Sequence, residues 1–434
     1  MTFRILHTSD WHLGQNFYGK SRLKEHQGFI NWLLVQVTEQ QIDAIVVAGD
    51  VFDTGTPPSY ARELYFDFIV RLHQLNCQLI VLAGNHDSVA MLGESQSLLA
   101  QLGCYVVTQA SSVTAQQLLS LTNAKGEQLV VCAIPFIRPR DVVVSSSGQS
   151  AKDKQQQLQQ AIQAHYQQLV EQAHQQYGEQ VAIMATGHLT TVGVSCSESV
   201  RDIYIGTLEA FPAQCFPEVD YIALGHIHQA QKVAKSEHIR YCGSPIPLSF
   251  DEAAQQKSVN LVDFSQGKLA QVTELAIPCF QPMEMVKTDL DSLKQRLTML
   301  TATDHLAEQQ AGESDEQCRI WLDIELSHSD YLNDLTLRVD EIVHDFPVEV
   351  ILVRRAKKNR ALNSVTEENT TLAELRLQDV FDTRLALESW PDPQAEQRKT
   401  RLTTLFNEIA DQVSHQEAIE EQQPLQEEQQ QASK

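Results

Sequence analysis

The chain has 434 residues, with 33 Lys and Arg against 56 Asp and Glu for a formal net charge of −23, and 42% of its residues are hydrophobic. That length exceeds one ordinary domain and predicts two or three. The apolar share supports a sizeable core, and no uninterrupted apolar run reaches the length of about 18 residues that would signal a membrane span. The acid excess argues against a chain that grips nucleic acid unaided, because phosphate contacts demand lysine and arginine.

Residues 3–6 read as a strand directly after Met1 and Thr2, with no basic region or cleavage signal before it, so a soluble, cytoplasmic protein is expected. Asp10 and His12 follow this strand. Leu23, Ile30, Leu33, Leu34 and Val37 then mark an amphipathic helix. A strand over 42–48 leads into Gly49, Asp50 and Asp53, and Leu64, Tyr65, Phe68, Leu72 and Leu75 mark a second helix. A strand over 79–83 leads into Gly84, Asn85, His86 and Asp87. Arg138 and Arg140 follow another apolar run. Residues 145–178 open with serines and Gly148 and continue as a Gln-rich helical stretch, which reads as an insertion whose charge pattern offers no chemistry. Strands over 181–186 and 221–224 precede Gly187 with His188, and Gly225 with His226 and His228. Strand and helix alternate in this way to about residue 270, which predicts a layered α/β domain over 1–275.

After about residue 278 the pattern changes to a smaller α+β unit, 279–362, with a helix near 290–300, a strand at 320–326, a helix near 332–344 and a strand at 348–353. A basic run from Arg354 to Arg360 follows. Two helical segments, 372–387 and 394–413, flank Pro391 and Pro393 within a predicted unit 370–414. Leu375, Phe381 and Leu385 on the first, and Leu402, Leu405, Phe406 and Ile409 on the second, form apolar stripes on otherwise polar helices. Residues 415–434 are rich in Gln and Glu and are expected to be disordered or a frayed helix. Eight cysteines, at 77, 104, 132, 196, 215, 242, 279 and 318, form no C-x-x-C pair, so reduced structural thiols are expected and a separate zinc knuckle is not.

Five ligand-bearing clusters therefore lie at the carboxyl ends of strands, where open α/β sheets place their sites. Each is weak alone: Asp-x-His is common, and Gly-Asn-His-Asp suits a turn as well as a ligand set. Gly-His-x-His is stronger, because alternation along an extended segment carries both imidazoles to one side. Mixed oxygen and nitrogen donors suit manganese, iron or zinc, whereas a magnesium site is richer in oxygen. A carboxylate bridging two cations about 3.5–4 Å apart serves to acidify a shared water and clamp a phosphoryl oxygen during in-line displacement. Asp50, after the most apolar strand, is the candidate bridge.

The order and wording of these motifs resemble the calcineurin-like metallophosphoesterases, and in detail the branch of bacterial SbcD-type nucleases. The segments that carry the detail are His7-Thr8-Ser9-Asp10-Trp11-His12-Leu13-Gly14, Gly49-Asp50-Val51-Phe52-Asp53-Thr54, Ala83-Gly84-Asn85-His86-Asp87-Ser88 and Gly243-Ser244-Pro245-Ile246-Pro247-Leu248-Ser249-Phe250; the resemblance covers roughly residues 1–410. It implies a layered β-sandwich flanked by helices, a capping domain that helps seat DNA, and a C-terminal helix pair that docks on an SbcC-type ATPase. It assigns Asp10, His12, Asp50 and His228 to one metal and Asp50, Asn85, His188 and His226 to the other, with manganese expected in both. His86 becomes a catalytic imidazole and Asp53 the carboxylate that orients it; some relatives outside bacteria carry histidine at the latter position. Asp87 is left as a turn or supporting residue.

The resemblance further implies a homodimer within a heterotetramer, a nucleoid-associated location, and ATP-dependent 3′-to-5′ exonuclease action on duplex ends. It adds endonuclease action on hairpins or single strands, with a bridging hydroxide attacking phosphorus, in DNA recombination, repair and replication. Two other readings share the residues. A phosphatase or cyclic-nucleotide phosphodiesterase on the same scaffold predicts turnover of small phosphoesters and no need for the C-terminal helices. A non-enzymatic scaffold protein predicts missing ligands, yet every expected ligand is present.

Overall fold

The computed structural model describes residues 2–111, 113–143, 150–201, 210–302, 319–327, 335–355 and 401–406. The chain divides into two units, Met1–Lys357 and Lys358–Lys434. In the second, a helical turn at 401–406 is described; the remainder of both C-terminal helices, the tail and Cys318 lie outside the described residues.

Two six-stranded sheets build the larger part of the first unit. One has the spatial order Lys268–Ala276, Ser258–Ser265, Thr2–Thr8, Ala44–Ala48, Gln78–Leu82, Cys104–Val107. Thr2–Thr8 pairs parallel with Ala44–Ala48 and antiparallel with Ser258–Ser265. The other runs Gln231–Lys232, Ile239–Tyr241, Tyr221–Gly225, Ala182–His188, Gln128–Cys132, Leu118–Thr122. Its four central strands are parallel.

The strands read as nearly unbroken Val, Ile, Leu and Ala runs because both faces of each sheet are covered. Alternation splits them between layers. Phe3, Ile5, Val46, Ile80 and Leu82 meet Val131, Met184, Tyr221 and Ala223 between the sheets. On the outer face of the first sheet, Leu6, Ile45, Val47, Leu79 and Val81 pack with the helices Leu23–Glu39 and Ser59–Gln74. Leu64, Tyr65, Phe68, Ile69 and Leu72 are buried there, so this stripe is core, while Leu75, Phe66 and Val70 stay exposed.

The Gln-rich stretch departs from its reading as an insertion. It forms the helix Ala151–Tyr177, which covers the second sheet as a full layer of the domain. Leu158, Ile162, Tyr166, Leu169 and Ala173, spaced three and four apart, are buried against Val130, Ile183 and Ile222. Ser150 and Asp153 cap its start reciprocally, and Gly178 ends it at φ 79°. Glutamine on the other faces hides the stripe from a composition-based reading.

The smaller α+β unit is a three-stranded parallel sheet, Met283–Thr288, Ile320–Leu326 and Val348–Arg355, backed by the helices Leu290–Ala302 and Leu335–Val343. Val286, Leu293, Leu297, Leu322, Ile324 and Val339 form its core. A separate apolar seam joins it to the sandwich: Phe17, Phe250, Met283 and Trp321. The Phe17 and Trp321 rings stack with centroids 5.7 Å apart, and the Arg22 guanidinium lies 4.9 Å from the Phe17 centroid. Arg22 is buried and forms a bidentate pair with Glu25, and Lys20 bridges to Glu349 at the rim.

Candidate metal centre

Each ligand cluster lies at or directly beyond the carboxyl end of a strand, His188 being the last residue of Ala182–His188, and the first two clusters interlock through their backbones. Asp10 N donates to Gly49 O at 3.0 Å, His12 N to Asp50 O at 3.0 Å and Leu13 N to Val51 O at 2.9 Å. Asp10, His12, Asp50 and His226 take φ of 55°, 47°, 51° and 93°, left-handed values that cost non-glycine residues energy and persist where the surroundings over-determine them. Two glycines make room. A Cβ on Gly84 would stand 2.1 Å from Asp50 Oδ1, and one on Gly49 2.1 Å from His188 Nδ1.

The side chains gather as two buried groups. Asp10, His12 and His228 form one, and Asp50, His188 and His226 the other, with the ligand atoms of each group within 4.8 Å of one another. Asp50 stands between them: its Oδ2 is 3.7 Å from His12 Nε2 and 3.2 Å from His188 Nε2. Asn85 Oδ1 lies 2.9 Å from His188 Nε2 and 3.2 Å from His226 Nδ1.

Supporting hydrogen bonds fix which ring nitrogen faces the centre. His188 Nδ1 donates to Ala48 O at 2.9 Å, leaving Nε2 toward Asp50. His12 Nδ1 is 3.1 Å from Asp53 Oδ1, so its Nε2 points the same way. Asp53 stands beside both His12 and His86. Its carboxylate faces His12, and His86 Nδ1 instead donates to the Asp53 main-chain carbonyl at 2.7 Å. His86 N donates to Asp50 Oδ1 at 2.9 Å. Asp87 is structural in contact: its carboxylate accepts from Val51 N, Phe52 N and Gly84 N at 3.1, 3.0 and 2.9 Å, tying two ligand turns together.

Electrostatics follow from burial and close charges. Burial alone would raise Asp50, but His188 and His12 hold its carboxyl well below the usual carboxylate range. Burial alone would lower His188, but Asp50 lifts it to about 9. Burial pushes His86 down, opposed by Asp50 and reinforced by His12 and Arg201.

The donor set fits divalent cations. Among the described residues, His12 Nε2 and His226 Nε2 are buried with no hydrogen-bond partner, each beside a carboxylate group of the centre. A buried, unpaired imidazole nitrogen is costly unless something occupies its lone pair. No disulfide competes for ligands: the seven described cysteines are free, and burial pushes the Cys132 thiol up to about 12.

Residues 3–230, more than half of the chain, match the calcineurin-like phosphoesterase family. Residues 279–389 match the type 5 capsule protein repressor C-terminal domain. The SbcD component of the SbcCD nuclease from Escherichia coli K12 is 50% identical over 408 residues, spanning 94% of this chain and 98% of the relative. The chain belongs to the SbcD family. The SbcD protein of Bacillus subtilis is 31% identical over 64% of this chain and 71% of its own, and that of Rhodobacter capsulatus 31% identical over 70% and 76%. As an SbcD-family metallophosphoesterase, the chain is a nuclease component and a phosphoester hydrolase with a divalent-metal centre.

Some participants carry no signal in the ligand motifs. The exposed Arg201 acts through its charge on both Asp53 and His86. Ser199, Glu252 and Lys257 surround His228. Of these, only Glu252 stands close to a segment that carries the family resemblance, 243–250. The basic clusters divide between engaged and exposed side chains. Arg138 turns inward over Phe136 and onto Asp87 O, Arg354 pairs with Asp323, Arg140 is exposed, and 356–360 lie outside the described residues. No described helix is long and apolar enough to cross a membrane.

Proposed function

We propose that this SbcD-family chain hydrolyses DNA phosphodiesters with two manganese ions, as part of an assembly with an SbcC-type ATPase. The observation that carries the reading is Asp50 Oδ2 lying between His12 Nε2 and His188 Nε2. Asp10, His12, Asp50 and His228 would hold one cation, and Asp50, Asn85, His188 and His226 the other. When bound, the pair supplies Lewis acidity toward a phosphoryl oxygen and acidifies a water between them.

The protein's own groups complete the chemistry. His86 is fixed by the Asp53 carbonyl through Nδ1, so Nε2 is the edge available to a departing deoxyribose oxygen. Burial makes its imidazolium a stronger acid than free histidine, suited to proton delivery in the transition state. The Asp53 carboxylate orients His12 rather than His86, a carboxylate–histidine–metal arrangement. Asp87 holds the turns that carry Asp50 and Asn85 in register.

The domain organisation proposed with this assignment is a nuclease sandwich over 1–275, a capping unit over 279–362 that seats DNA, a helix pair over 370–414 for the ATPase, and a Gln/Glu-rich tail. The working form is a homodimer within a heterotetramer, cytoplasmic and on the nucleoid, serving recombination, repair and replication. Its reactions are 3′-to-5′ exonuclease on duplex ends and endonuclease on hairpins and single strands.

The test uses linear duplex labelled at the 3′ or 5′ end, a hairpin, and bis(p-nitrophenyl) phosphate, each with manganese or magnesium and with or without the ATPase and ATP. A nuclease gives manganese-dependent loss of 3′ label first and hairpin opening, both accelerated by the ATPase. Turnover of the small phosphoester with every DNA left intact moves the chain to the phosphatase reading.

A further inference from the structure

His228 is held from two directions by groups that bear no ligand motif. Its Nδ1 lies 2.5 Å from Ser199 Oγ and 3.4 Å from Glu252 Oε1, and Ser199 Oγ in turn donates to Glu252 Oε1. Its main-chain carbonyl accepts from Lys257 Nζ at 3.0 Å. Glu252 and Lys257 are themselves paired at 2.7 Å, and Glu252 is fully buried. Both carboxylate oxygens are saturated. Oε1 accepts from Ser197 at 2.7 Å and from Ser199, and Oε2 accepts from Leu248 N at 3.0 Å and from Lys257 at 2.7 Å.

We infer that Glu252, with Ser199 as its relay and Lys257 as its counter-ion, is a positioning residue that sets the tautomer and orientation of His228. A carboxylate accepts only, so the Ser199 hydroxyl proton goes to Glu252 and its oxygen is left to accept Nδ1–H of His228. His228 then carries its proton on Nδ1 and presents the Nε2 lone pair toward Asp10 and His12. A ligand imidazole locked in one tautomer avoids the cost of selecting it at each binding event, and such supporting partners are worth about 10–100-fold in metal affinity. The same carboxylate fastens Ser197 and Ser199, which lie just ahead of Arg201 in the chain. This rests on the two-metal reading and extends it to residues outside the ligand set.

Plain mortar between segments is the competing role for so fully bonded a carboxylate, and the experiment separates the two. Imidazole ¹⁵N–¹H spectra of the metal-free full chain report the His228 tautomer, and manganese titration followed by calorimetry reports affinity site by site. For Glu252→Gln, and for Ser199→Ala, which removes only a relay hydroxyl, the inference predicts loss of the single Nδ1–H form. It also predicts one of two manganese sites weakened about 10–100-fold, with the other unchanged. A Glu252→Gln/Lys257→Met pair guards against an unpaired buried lysine, and each variant is checked by its thermal midpoint. An unchanged tautomer and two wild-type affinities in folded variants would overturn the positioning role. Failure of the two-metal reading would show separately, in the wild-type chain, as absence of two-site binding, and would remove the inference with it.

Discussion

Asp50 and His86 are hydrogen-bonded neighbours with different work, and substitution should separate them. His86 touches Asp50 only through its backbone N–H, so His86→Ala removes the imidazole and leaves that bond. The expected outcome is full metal content with cleavage reduced about 10²–10⁴-fold, the usual weight of general acid–base catalysis. Asp50→Ala removes the oxygen shared between the groups and should lose metal as well; elemental analysis showing both variants fully loaded would refute the bridging assignment. A second prediction at this scale concerns His7, buried between Tyr221 Oη at 3.0 Å and Leu224 O at 3.2 Å. Burial lowers its pKa to about 3, below the ordinary value of 6.5, so the folded state binds fewer protons than the unfolded chain between these limits. Its stabilising contribution is whole above pH 6.5 and falls as pH drops toward 3, with a slope of up to about 1.4 kcal/mol per pH unit. Denaturant melts of His7→Gln across that window should show a flatter acid limb than wild type; parallel curves would refute it.

At the scale of elements, the apolar seam makes a prediction of its own. Trp321 is buried, stacks on Phe17 and faces Arg22. Trp321→Ala should cost about 3–5 kcal/mol of local packing and loosen the capping sheet while leaving the metal turns intact. Hairpin and duplex cleavage should then fall while turnover of a small phosphodiester stays within about two-fold; a parallel loss of both would mean that the cap does not seat DNA. Much of this level was legible in the sequence because the signals are local. Val, Ile and Leu runs ending in Gly and a ligand residue announce strand ends, and the site clusters occupy those turns. The Ala151–Tyr177 layer was hidden because its apolar stripe is diluted by glutamine. The partners of Asp53 and Glu252 were hidden for another reason: a carboxylate's contact 41 or 24 residues away depends on how turns pack, and no spacing rule encodes it.

For the whole molecule, the charge of −23 sets the terms of DNA binding. Arg138 and Arg354 are engaged with protein groups, so neither of these two basic residues is open to a phosphate track. The isolated chain should therefore bind a duplex weakly and with a shallow salt dependence, releasing fewer than about four counterions, and the slope should steepen when the ATPase joins. Fluorescence anisotropy at several salt concentrations measures both; a steep slope for the chain alone would place an overlooked basic surface on it. The most direct test of the central claim combines metal content and cleavage in one preparation. Wild-type chain and His86→Ala, reconstituted with manganese, should each carry two ions per chain, and only the wild type should degrade end-labelled duplex. One ion or none in a folded wild-type chain, or undiminished cleavage by His86→Ala, would contradict it.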